Sequence, residues 1–103
     1  VYKLCFFVPD SHLEGVKQAI FAVGGGRIGD YDSCCWQTHG KGQFRPLDGA
    51  DPFIGDLGKV ETVAEWKVEM VVADDLIRQA VAALKATHPY ETPAYDVWAL
   101  ADF

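Results

Sequence analysis

Three histidines and one glutamate are the side chains in this sequence best suited to chemistry. His12, His39 and His88 bring imidazoles and Glu91 brings a carboxylate, the donor types that zinc and similar divalent ions accept. Held around one ion, His39, His88 and Glu91 would support metal-assisted hydrolysis, with His12 as a further candidate ligand. A divalent metal ion is the one cofactor these residues suggest. No tight H-x3-H pair is present, however, and a histidine at the end of an element also serves as a cap or hydrogen-bonding group.

The stretch "HPYETPAYD", His88 to Asp96, concentrates polar aromatic and acidic groups where a helical pattern gives way to a strand. A structural reading has His88 capping carbonyls, Pro89 and Pro93 stiffening the route, and Tyr90 and Glu91 bonding backbone. A functional reading makes His88, Tyr90 and Glu91 ligand-binding groups.

"GGGRIGDYDS" contains a G-x-G-x-x-G string in Gly24, Gly26 and Gly29. A dinucleotide site needs that string after a strand and at the start of a helix, where free N–H groups and the dipole hold a pyrophosphate. Here the string closes a helix, so Gly24 is expected at the left-handed position after it. Arg27, the strong cation of the segment, and Tyr31 are then candidates for cleft or interface contacts. Cys5, Cys34 and Cys35 include no C-x-x-C and no evident base, and no G-x-S-x-G elbow exists. Plain reduced thiols are expected, and no catalytic residue is assigned.

The elements that must position these groups follow from hydrophobic spacing. "YKLCFFV" reads as a strand with both faces apolar. Ser11 and Glu14 suggest a capping box for a first helix whose Leu13, Val16, Ile20 and Val23 recur at helical spacing. "SCCWQTHGKGQFRPL" is either a hairpin turning at Gly40-Lys41-Gly42 or one long bent strand. Asp48 to Gly58 has the composition of an ordered loop. In "VETVAEWKVEMVV", Thr62, Ala64, Trp66, Val68 and Met70 alternate with mainly charged residues, giving a strand with one covered face. Asp74 and Asp75 precede a second helix striped by Leu76, Ile77, Ala80, Val81 and Leu84, and Pro89 ends it. Ala94 to Leu100 is the last strand.

Strand, helix, strand, strand, helix, strand is the split βαβ order of a ferredoxin-like α+β sandwich. With helices on one face, strand one ends, helix one starts, helix two ends and strand four starts at a common end of the sheet. His12, His39, near the strand-strand turn, and His88 are expected to lie there, with Glu91 beside them. The uncovered face must meet solvent or another subunit, and its apolar content argues for a subunit.

Bulk properties narrow the partners. The 103 residues are 50% hydrophobic with a formal net charge of −6, which fits one globular domain over residues 1–103. Acidic balance and scattered cations speak against nucleic acid. No apolar run is long enough for a membrane span, and a cytoplasmic location is expected.

The motif "HPYETPAYD", taken with "GGGRIGDYDSCCWQTHGKGQFRPLDGADPFIG" and "VETVAEWKVEMV", closely resembles the insert domain of the NGG-one-interacting-factor-three-like proteins, the GTP cyclohydrolase I type 2 homologue family. The His-Pro-Tyr-Glu motif is also similar to that of CutA divalent-cation tolerance proteins, whose trimers are related to the PII signalling proteins. The resemblance implies a CutA/PII-like fold and a homotrimer. The two-metal centre of full-length family members belongs to a flanking domain with no counterpart in these residues, so none of its ligands carries over. The implied function is a stand-alone, non-enzymatic module that binds a small ligand, a metal ion or a protein partner at clefts between subunits. Arg27 is expected to pair with Glu91 or Asp96 of another copy. Metal-assisted hydrolysis and a pure scaffold are the alternatives.

Overall fold

Apolar residues at period two in three stretches, a fourth stretch paired alongside them, and apolar residues at helical spacing in two others give four strands and two helices. The computed structural model describes residues 1–103. The chain runs through β1 (Tyr2–Pro9), a single 3-10 turn (Asp10–His12), α1 (Leu13–Ala22), β2 (Trp36–Phe44), β3 (Glu61–Val72), α2 (Ile77–Thr87) and β4 (Tyr95–Ala99). The strands form one sheet in the order β2-β3-β1-β4, every neighbouring pair antiparallel. Each helix thus links two strands that flank a third, α1 crossing β3 and α2 crossing β1. This is the ferredoxin-like arrangement expected from the element order.

One face of the sheet is closed by the helices. Leu4, Phe6 and Val8 of β1 lie beside Val68, Met70 and Val72 of β3, and Val16, Ile20, Ala80 and Leu84 come down on them from α1 and α2. All are buried. The covered row of β3 begins only at Trp66, because Thr62 and Ala64 are exposed. Length explains this: the 10 residues of α1 span about 15 Å, whereas the 12 of β3 span about 40 Å. The uncovered part of β3, with β2, projects as an arm, and the molecule measures 46 × 25 × 24 Å.

One open alternative is decided, one local expectation changes and one helix start is refined. Residues Gly40 to Gly42 form no turn; β2 runs straight through them, Gly40 pairing with Glu65 and Gly42 with Val63, and the reversal is made by the loop of residues 45–60. The capping box does not form, since the 3-10 turn makes His12 the N-cap, places Glu14 within the first turn and leaves Ser11 Oγ beside His12 Nδ1 at 2.8 Å. Glu14 instead accepts from Lys17 Nζ at 3.0 Å. Asp74 and Asp75 precede α2 in a turn, and Leu76 is its N-cap.

The end of α1 matches expectation in detail. Gly24 takes φ +102°, its N–H donates to the Phe21 carbonyl at 3.0 Å, and the Gly25 N–H donates to the Ile20 carbonyl at 3.0 Å. These are the two bonds of a Schellman closure. The Gly26 N–H then donates to the Val71 carbonyl at 2.8 Å, fastening the glycine segment to the far end of β3. No helix is long and apolar enough to cross a membrane.

Candidate functional site: a cleft between the long loop and the His88–Ala94 segment

β4 pairs with β1 only as far as Phe6 opposite Tyr95, and the next residue of β1 is where the site begins. The Phe7 N–H still reaches the Ala94 carbonyl at 3.3 Å, but its own carbonyl has lost a strand partner. His88 supplies one: its Nε2 lies 2.6 Å from Phe7 O. The Tyr90 N–H donates to His88 Nδ1 at 3.1 Å, which makes Nδ1 the acceptor and Nε2–H the donor. His88 is therefore the neutral tautomer, 7% exposed, with both nitrogens engaged. Burial lowers its pKa from the ordinary 6.5, opposed by the Phe7 bond and the nearby Glu65 charge.

That ring fixes the chain leaving α2, and so aims Tyr90 across the end of the sheet. The Tyr90 hydroxyl donates to Glu65 Oε2 at 2.9 Å. Burial, then the bond to Glu65 and its charge, push the phenol well above its usual range. Glu65 can lie flat here because β2 offers no side chain at Gly42, where a Cβ would stand 1.8 Å from Glu65 Oε1. A strand glycine often marks such a close approach.

The long loop closes the other side. Phe53 meets the His12 ring edge-on, with centroids 5.5 Å apart, and Tyr90 at 6.3 Å. Phe44 lies 6.1 Å from Tyr90. The Asp51 N–H donates to Glu91 Oε1 at 3.0 Å, tying loop to segment. Between them is a cleft of about 430 Å³ walled by Phe7, Phe44, Pro46, Phe53 and Tyr90, with Glu65 and Glu91 as its charged groups. Aromatic walls with few polar groups suit a small organic molecule.

Of the residues proposed from sequence, Tyr90 and Glu91 line this cleft, His88 packs against the Tyr90 ring outside the lining, and His12 touches its Phe53 wall. His39 does not. It packs edge-on against Trp66 at 4.8 Å, on the helix side of the sheet, where Lys17 of α1 donates to neighbouring Gln37 at 2.9 Å. The side chain of Glu65 points the other way by strand alternation. No three His, Cys, Asp or Glu side chains converge to hold a metal, so His12, His39, His88 and Glu91 are not one ligand set. The anchorage of Gly26 to Val71 puts Arg27 and Tyr31, both exposed, at the other end of the sheet. The six residue steps from Glu65 to Val71 correspond to about 20 Å.

Sequence reasoning missed Phe7, Gly42, Phe44, Phe53 and Glu65 as members of the site. The available signal was Gly42 itself, a glycine between strand residues and without a turn partner. The cysteines are free, and burial raises the Cys5 thiol pKa.

No family model matches the chain. It is 43% identical over 102 residues to a GTP cyclohydrolase 1 type 2 homolog of Halalkalibacterium halodurans, covering 99% of the chain and 27% of that protein. Its identity to the homolog of Mycobacterium tuberculosis is 47% over 98 residues, 95% of the chain and 26% of that protein. The chain spans about a quarter of the length of these curated relatives. Among solved structures, a Bacillus cereus protein related to NIF3 superposes with a TM-score of 0.84 at 36% identity, over 98% of the chain and 26% of that protein. The periplasmic divalent cation tolerance protein CutA from Archaeoglobus fulgidus gives 0.68 at 14% identity, over 100% and 87%. The chain is thus related, over nearly all its length, to a quarter-length segment of the GTP cyclohydrolase 1 type 2 homologues, in a CutA/PII-like fold.

Proposed function

We propose that residues 1–103 act as one ligand-binding domain, that the cleft between the long loop and the His88–Ala94 segment is its binding site, and that the working form is a homotrimer. The observation that carries this is the cleft: about 430 Å³ with aromatic walls and two carboxylates, inside the range of roughly 300–1,000 Å³ typical of small-molecule sites. Self-association is supported by the sheet face away from the helices, where Trp36 is 70% and Trp98 46% exposed. Apolar area of this kind on a soluble domain marks contact surface. Three free cysteines fit a reducing compartment such as the cytoplasm.

Metal-assisted hydrolysis draws no support from the geometry, since His39 lies across the sheet and both nitrogens of His88 are engaged. The binding reading is tested by ligand-observed NMR against a fragment mixture, comparing the native chain with Ala50→Trp, which fills the cleft. Fragment signals that broaden with the native chain and recover with a folded Ala50→Trp variant are expected. Absence of hits, or hits indifferent to the substitution, would contradict it.

A further inference from the structure

Charge inside the cleft specifies the ligand further. Glu65 Oε2 accepts from Tyr90 and Glu91 Oε1 from the Asp51 N–H, while the second oxygen of each carboxylate has no hydrogen-bond partner within the chain. Neither carboxylate forms an ion pair within the chain. No lysine, arginine or histidine belongs to the lining. Lys41 and Arg45, the cations closest in sequence, are exposed and stand outside it. Two carboxylates beside apolar walls favour a positive charge, more strongly at half-buried Glu65, where water screens less, than at exposed Glu91. Phe7, Phe44, Phe53 and Tyr90 add ring faces that favour a cation and bury a hydrocarbon body. Phosphates and carboxylic acids meet the opposite conditions.

Resting on the reading of the cleft as the binding site, we infer that it selects a small organic cation: an ammonium or guanidinium group carried on an aromatic or branched apolar body. The charged head lies between Glu65 and Glu91, and the body lies against Phe44 and Phe53. A bare metal ion lacks a third ligand here.

Isothermal titration calorimetry with phenethylamine, phenethyl alcohol and phenylacetate separates the possibilities. The amine is expected to bind about tenfold tighter than the alcohol, as a cation–π contact joined to a charge-assisted hydrogen bond allows, and phenylacetate should give no binding heat. Glu91→Gln, at an exposed position, and Glu65→Gln should each weaken the amine and leave the alcohol unchanged. Equal affinity for amine and alcohol would overturn the cation and leave the cleft reading standing. No binding of any probe would overturn both. Amine binding that appears only in Arg27→Ala would show that the carboxylates are occupied by Arg27 of a second copy, and would overturn a free small molecule as the occupant.

Discussion

His88 holds together three pieces of chain that strand pairing alone leaves apart: the end of β1, the exit of α2 and the start of the Tyr90 segment. Its removal leaves the Phe7 carbonyl and the Tyr90 N–H without partners, so His88→Ala should cost on the order of 2 kcal/mol in urea denaturation at neutral pH. The pH dependence follows from the lowered pKa. In the unfolded chain a histidine takes up its proton near the ordinary 6.5, while the folded His88 resists until lower pH. Through that window the unfolded state binds more protons, so stability is complete above it and falls as pH drops. The denaturation midpoint of the native chain should decline more between pH 7.5 and 5.5 than that of His88→Asn, and equal declines would contradict the assignment. Tyr90 provides an independent reading of the same corner. Glu65→Gln should move its phenol back towards 10, followed by ultraviolet titration with Tyr90→Phe as the control. The exit at "HPYE" was legible because a proline after His88 keeps that residue out of helical geometry. Its partner Phe7 was not, since nothing local links residues 81 positions apart.

Elements were legible where one periodicity ruled. β1, both helices and the covered row of β3 from Trp66 onward follow directly from apolar spacing. β2 was ambiguous because Gly40 and Gly42 imitate a turn; the long pairing with β3, from Trp36 opposite Glu69 to Phe44 opposite Glu61, outweighs their local preference. The same pairing explains why a glycine there has a use, as the space over Gly42 holds the Glu65 carboxylate. Helix starts were less legible than helix ends, since one 3-10 turn before α1 shifts the cap and defeats the Ser11–Glu14 pair. The glycine end of α1 carries its own test. At Gly24 a side chain meets both a left-handed backbone and Leu76 Cδ1 2.7 Å from the new Cβ. Gly24→Ala should therefore destabilise the fold by about 1–2 kcal/mol, read from the denaturation midpoint at unchanged slope. No loss would mean that the Schellman closure is dispensable.

At the scale of the molecule, two features reach beyond one chain. Trp36 and Trp98 are large apolar groups exposed on the uncovered sheet, and Arg27 has no ion-pair partner within the chain. If that face and the glycine segment meet neighbouring copies, Trp98→Glu and Arg27→Ala should each lower the mass measured by light scattering, the tryptophan change more strongly because it places a charge in an apolar contact. An unchanged mass in both variants would remove the proposed assembly. The cleft is built wholly from elements present in these residues. The most direct measurement of its role as the binding site is an amide-resolved NMR titration of the labelled chain with phenethylamine. Shifts gathered at Gly42, Phe44, Phe53, Tyr90 and Glu91 are predicted; shifts confined to Arg27–Ser33, or none at all, would contradict the cleft as the binding site.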